Sequence, residues 1–284
     1  MKLVGVQHHH AHLAACLAEH GETGPAVGAI FDGTGLGTDG TIWGGELLVG
    51  DLVAFERAGH LRAVRLPGGD QAVREPWRMA CAWLGEALGA EPRLPASLAG
   101  AVEPWRWEAV TRMARAGFAA PVTTSMGRLF DAVAALAGVC HIVSYEGQAA
   151  AELEGAVASA PLDAAFPYPL PIDDGPPVVL DPRPTILAVA HDVAAGASPA
   201  FVAMRFHAAV ADATARACAV VAERHGLATV VLSGGVFQNR LLIDAAAEAL
   251  EREGLRVLVP ERLPPNDGAI SYGQAAVAAA RMGA

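Results

Sequence analysis

The sequence predicts an α/β protein built in two lobes, and three observations carry that expectation. From residue 198 onward, helical and strand patterns alternate, as they do where a partly parallel sheet is flanked by helices. Near the N-terminus two apolar runs flank a glycine-rich turn, which reads as a hairpin. Between them, a helical block over 70–158 ends in a proline-dense stretch, 161–185, that cannot be a helix interior and reads as an extended link. The expected division is a first lobe over 1–160, the link over 161–185 and a second α/β lobe over 186–284.

The elements follow in order. Residues 6–20 form an Ala- and Leu-rich helix that stops at Gly21. Val27–Asp32 and Gly40–Val49 are the hairpin strands. The helical block is punctuated by Pro76, Pro92, Pro95, Pro104 and Pro121. Ser198 followed by Pro199 is an N-cap with proline at the first helical position, and that helix runs to Gly226. Thr229–Leu232 is a buried strand, 239–253 a helix, Arg256–Val259 a strand and 267–282 the last helix.

With 284 residues the chain can bury a core without staples. At 53% hydrophobic and 18% charged it is globular in composition, not disordered. The net charge of −10 disfavours a nucleic-acid or anionic-membrane partner. Four scattered cysteines with no CxxC pair suggest neither a disulfide framework nor a thiolate zinc site, and fit a reducing cytoplasm. The start of the chain lacks the apolar core of a signal peptide, and charges break every stretch before a membrane span.

Four motifs could carry chemistry. In Val6-Gln-His-His-His-Ala-His12, His8 and His12 lie four apart and share one helix face, so both imidazoles can reach one metal ion. A third ligand must come from elsewhere, and a carboxylate beside neutral imidazoles suits zinc or ferrous iron better than magnesium. An exposed histidine run or the remnant of a tag is the plain alternative. In Asp32-Gly-Thr-Gly-Leu-Gly-Thr-Asp-Gly40 a strand ends on an acid before glycines whose N–H groups could approach phosphate, although a simple hairpin turn reads the same way. In Leu232-Ser-Gly-Gly-Val-Phe-Gln-Asn239 a strand enters two glycines and then a helix, an anion site or a plain strand-to-helix turn. A glycine loop in each half is the arrangement of actin-like nucleotide clefts. In Pro264-Pro-Asn-Asp-Gly268, Asp267 is an N-cap or the missing third ligand. Ser125–Asp131 and Tyr145–Gln148 open helices that either edge a nucleotide or are simply capped. Arg74, beside the Pro67-Gly-Gly-Asp70 turn, could clamp an oxygen or make a surface salt bridge.

Taken together, VQHHHAH, DGTGLGTDGTIWGGE, LPGGDQAVREPWRMA, SMGRLFDAVAALAG, YEGQAAAELE, LSGGVFQN and PPNDGAISYGQA resemble, from about residue 4 to 280, the C-terminal region of HypF, the carbamoyltransferase family of nickel–iron hydrogenase maturation. The resemblance implies an actin-like, ribonuclease H-like two-lobed ATPase fold whose first lobe is incomplete at its start. It implies a mononuclear zinc or iron held by His8, His12 and Asp267, with Asp32 beside the metal and the carbamoyl or phosphate group. Gly33, Gly35, Gly127, Asp131, Gly147, Gly234, Gly235 and Asn239 fall at nucleotide-contacting positions, and Arg74 joins Asp32 as a catalytic candidate. The implied activity transfers a carbamoyl group from carbamoyl-adenylate, made from carbamoyl phosphate and ATP with magnesium, to the C-terminal cysteine of the partner HypE. Adenylate synthesis belongs in the family to a YrdC-like domain, in cis in longer relatives and in trans here. The rival readings are a non-catalytic nucleotide-binding scaffold and a tRNA threonylcarbamoyl transferase.

Overall fold

A computed structural model describes residues 3–157 and 166–283. Along the chain the elements are α1 (His8–Glu19), β1 (Ala26–Leu36), β2 (Ile42–Gly50), β3 (Phe55–Leu61), β4 (Val64–Arg65), α2 (Asp70–Arg74), α3 (Trp77–Leu88), α4 (Pro104–Ala116), β5 (Val122–Thr123), α5 (Met126–Leu136) and α6 (Gln148–Gly155). Then come β6 (Ile172–Asp173), β7 (Val178–Leu180), α7 (Arg183–Ala194), α8 (Pro199–His225), β8 (Thr229–Ser233), α9 (Arg240–Arg252), β9 (Arg256–Leu258) and α10 (Ile270–Gly283). The expected hairpin, the helical block and the closing α/β alternation are all present. Ser198 caps α8 by accepting the Phe201 N–H, as its position before Pro199 predicts.

The chain forms two units. The first draws on Met1–Leu61, Ile172–Leu180 and Ala211–Ala284, and the second on Arg62–Pro171 and Asp181–Val210. This corrects the contiguous division expected at 161–185. Residues 161–165 of that stretch lie outside the described residues, while Ile172–Leu180 adds two strands to the first unit and the segment from 186 to Val210 belongs to the second. The physical reason is strand pairing. β1 takes β8 as a parallel neighbour, with Val27 opposite Val230, so the N-terminal hairpin and the C-terminal alternation share one sheet.

That sheet has the order β6-β7-β3-β2-β1-β8-β9. β1, β2 and β3 form an antiparallel meander, and β3–β7, β1–β8 and β8–β9 are parallel. Helix α1 packs on it through Leu13, Cys16 and Leu17, which are buried with Ile30, Trp43, Leu48, Val231 and Leu258. Each leucine so buried contributes about 1.5–3 kcal/mol. The β1–β2 ladder shifts register between Phe31 and Gly35, the stretch that carries Asp32.

In the second unit α5 is buried along its whole length. It packs against α3, and Phe130 meets Phe206 edge to face at 4.8 Å. Glu75 holds Arg78 and Arg106 together, and both guanidinium groups lie over the Trp77 ring. β4 and β5 form a two-residue antiparallel pair. The unit boundary falls inside α8, between Val210 and Ala211.

Candidate metal centre

Helix α1 starts where Gln7 Oε1 accepts the His10 N–H, 2.8 Å away. Gln7 Nε2 also donates to His9 Nδ1 at 3.0 Å and to the Leu36 carbonyl at 3.2 Å, which ties the helix start to the end of β1. With the start so fixed, His8 and His12 stand one turn apart, ring centroids 5.0 Å apart. The close approach of α1 to α10 depends on Gly273, where an added Cβ would lie 1.9 Å from the Ala11 carbonyl oxygen. Asp32 arrives from the register break in β1. Asp267 arrives from the turn before α10, where Asn266, not Asp267, is the cap: Asn266 Oδ1 accepts the Gly268 N–H at 3.0 Å. The Asp267 carboxylate is thereby left to face the histidines.

One ligand atom from each of His8, His12, Asp32 and Asp267 lies within 4.8 Å of the others. His8 Nε2 is 2.9 Å from Asp32 Oδ2 and 3.4 Å from Asp267 Oδ1. His12 Nε2 is 3.5 Å and 3.4 Å from the same two oxygens. His12 is fully buried, and its Nε2 makes no aligned hydrogen bond. A buried ring nitrogen facing two carboxylate oxygens without an aligned bond has a lone pair suited to a cation, and two imidazoles with two carboxylates suit zinc or ferrous iron. The residues therefore fit the metal that the resemblance implies.

Burial works to raise the Asp32 pKa, but His12 and His8 outweigh it and hold the carboxyl far below the usual carboxylate range. His12 lowers Asp267 as well. Burial opposes the charged form of His12, yet Asp267 and Asp32 push its pKa up overall. Asp32 also accepts the Gly235 N–H at 3.1 Å through Oδ1, so one carboxylate joins the donor set to the Ser233-Gly-Gly loop.

The first unit thus brings His8, His12, Asp32 and Asp267 together, with Gly35 against the His8 and His9 rings and Gly235 against Asp32, while Gly33, Gly234 and Asn239 lie in the same unit. The glycines serve differently from the N–H cradle their spacing suggests. The Gly234 N–H goes to the Pro265 carbonyl, and the Gly235 N–H is taken by Asp32. What these positions offer is absence of bulk: a Cβ on Gly234 would sit 2.3 Å from the Phe31 carbonyl oxygen, and one on Gly35 would sit 2.5 Å from the His9 ring. Asn239 caps α9 by accepting the Leu242 N–H at 2.9 Å.

Gly127, Asp131, Gly147 and Arg74 lie in the second unit. Gly127 and Asp131 are on buried α5, and Gly147 precedes α6 with φ of 80°. Arg74 ends α2 with its carbonyl accepting the Val143 N–H. Asp131 pairs with Arg128 at 3.1 Å, but burial dominates and raises its pKa to about 6.

A second network was missed by sequence reasoning. Glu46 is fully buried in β2, accepts the Gly44 and Gly45 N–H groups and holds Arg57 Nε at 2.6 Å. Arg57 lies over the Trp43 ring at 4.1 Å and reaches Asp39, which also accepts the Trp43 indole N–H. Trp43 in turn packs against His9, so the hairpin backs the histidine helix. A lone glutamate inside an otherwise apolar strand was the available signal.

A mixed sheet with helices, carrying two imidazoles and two carboxylates at one point, defines an α/β protein of the actin-like, ribonuclease H-like class. A family profile described as carbamoyltransferase, Kae1-like domain, second subdomain, matches residues 28–274. Carbamoyltransferase HypF2 of Cupriavidus necator is 41% identical over 98% of this chain and 36% of its own length. The carbamoyltransferase HypF homolog of the same organism is 39% identical, over 97% of this chain and 71% of its own length. A crystal structure of full-length HypF in a phosphate- and nucleotide-bound form superposes with a TM-score of 0.90 at 35% identity, covering 99% of this chain and 43% of that one. HypF of T. kodakarensis gives 0.86 at 28% identity, over 100% of this chain and 37% of that one. The chain belongs to the HypF carbamoyltransferase family. It spans about a third of the length of the HypF2 relative.

Proposed function

We propose that this chain is a carbamoyl-transfer module of nickel–iron hydrogenase maturation, taking carbamoyl-adenylate as donor and the C-terminal cysteine of HypE as acceptor. The observation that carries the reading is the meeting of His8, His12, Asp32 and Asp267 in a chain of the HypF family. A zinc or ferrous ion held by His8, His12 and Asp267, with Asp32 beside it, would polarise the carbonyl or phosphate oxygens of the donor.

The chain's own residues have distinct tasks. Asp32, held ionised by its histidines, contributes fixed negative charge and is no proton donor at neutral pH. Gly33, Gly35, Gly234 and Gly235 are the proposed nucleotide positions of this unit, and the bare backbone at Gly35, Gly234 and Gly235 lets both loops close on His9, Phe31 and that carboxylate. Gly127, Asp131, Gly147 and Asn239 are the further nucleotide positions, with magnesium accompanying the nucleotide, and Arg74 is the candidate oxygen clamp. The acceptor sulfur enters as a thiolate, a C–S bond forms at the carbamoyl carbon, the C–O bond to phosphate breaks and AMP leaves. The nucleophile comes from the partner, because all four cysteines here are buried. Burial pushes Cys81 and Cys218 up to about 12 and Cys140 to about 11, and it raises Cys16 as well.

The test supplies carbamoyl-adenylate from a YrdC-like domain in trans and reads thiocarbamate on a HypE C-terminal peptide, alongside metal content. Replacing His8 and His12 by alanine is expected to abolish bound metal and transfer together. Undiminished transfer by the metal-free double variant would overturn the reading. No helix among the described residues is long and apolar enough to cross a membrane, and a reducing cytoplasm is the compartment that suits the proposed chemistry.

A further inference from the structure

The two histidine ligands and Asp267 come from chain segments about 255 residues apart, yet one helix governs both. Helix α1 carries His8 and His12 near its start and Glu19 at its last position. A carboxylate there opposes the helix dipole, whose C-terminal end is already negative, so its presence calls for a specific partner. The partner is backbone. Glu19 Oε1 accepts the N–H groups of Arg262 and, at 3.1 Å, Leu263, while Oε2 lies 3.4 Å from the Glu261 nitrogen. His20 adds a bond from Nε2 to the Val259 carbonyl at 2.9 Å.

Four residues beyond this clasp stands Asp267, and the intervening segment is stiff. Pro264 and Pro265 fix their own φ angles. The Pro265 carbonyl accepts the Gly234 N–H at 2.9 Å, and Asn266 closes the turn onto Gly268. Gly268 packs so closely on Pro264 that an added Cβ would lie 2.7 Å from its ring. A displacement at Leu263 therefore has little slack in which to dissipate before it reaches Asp267.

We infer that Glu19 is a positioning residue for the metal centre: it anchors the 261–263 segment to α1, so that the helix bearing two ligands also sets the place of the third. The inference rests on the metal reading above. Groups that orient metal ligands are worth about 10- to 100-fold in affinity.

The test measures zinc affinity by competition with a chromophoric chelator on the full chain, with the visible spectrum of the cobalt-loaded protein as a second readout. Glu19→Ala is expected to bind zinc 10- to 100-fold more weakly and to change the cobalt band intensity. Glu19→Gln, which keeps Oε1 as acceptor for Arg262 and Leu263, is expected to recover most of the affinity, while Glu19→Asp, one methylene too short to hold both N–H groups, is expected to weaken zinc binding and serves if the alanine variant fails to fold, wild-type affinity there overturning the inference in its place. Arg256→Ala, which removes the ion pair to Glu22 just beyond the same helix end, is the control for general loosening and is expected to bind zinc like wild type. Wild-type affinity in Glu19→Ala overturns the inference alone, as does an equal loss in Arg256→Ala. A wild-type chain that takes up no zinc overturns the metal reading, and this inference with it.

Discussion

Gly234 is the residue on which the donor set and its neighbouring loop converge. Its φ of 103° and the 2.3 Å approach to the Phe31 carbonyl leave no place for a side chain. Gly234→Ala is expected to cost about 3 kcal/mol or more, since backbone strain and overpacking add. Urea denaturation reads this directly, and a loss below 1 kcal/mol would mean that the turn relaxes freely. Asp131 offers a different test. Its pKa lies above the unfolded value, at about 6 against 3.8, so its protonated form favours the fold. That contribution is complete below about pH 4 and is lost as pH rises through 6, amounting to about 3 kcal/mol. Carboxyl carbon NMR is expected to show a midpoint near 6, and one near 4 would refute the assignment. The His8–His12 pair was legible in the sequence because helical spacing is local. That Asp32 joins the same donor set, and that Asp267 is freed by Asn266, depends on a register break and a cap that only tertiary structure reveals.

Among elements, α1 and α10 form the contact that admits least change. An alanine at Gly273 would drive a methyl into the Ala11 carbonyl, and backbone cannot step aside as a side-chain end can. Gly273→Ala is expected to destabilise by about 1–3 kcal/mol or more and to weaken metal uptake in parallel, because the displaced helix carries both histidines. Retained stability and zinc affinity together would show that the helices slide. Long elements were readable because their periodicity and caps are written in adjacent residues, as with Ser198-Pro199 before α8. β6 and β7 were not, since strands of two and three residues beside Pro171, Pro176 and Pro177 carry no alternation to detect. They are strands because β3 offers a free edge to pair with, through Gly59 opposite Val178.

At the scale of the molecule, helix and strand content followed from pattern, while the division of the chain did not. A boundary read from proline density assumes that each unit is contiguous, and the β1–β8 pairing breaks that assumption. A fragment ending at residue 185 is accordingly expected to lack a stable first unit, despite containing the whole meander, because it misses β8, β9, α10 and Asp267. Hydrogen exchange on the fragment should find β1 unprotected, and protection equal to that of the full chain would contradict the shared sheet.

The same pairing sets a timetable for birth on the ribosome. About 200 residues separate Val27 from Val230, so at roughly 5–20 residues per second the apolar strand Ala26–Phe31 waits on the order of 10–40 s for its second neighbour. During that interval one edge of a β-prone segment stands open to other nascent chains. Yield in cells should therefore depend on chaperone supply and on translation speed upstream of β8, even where the finished protein is stable.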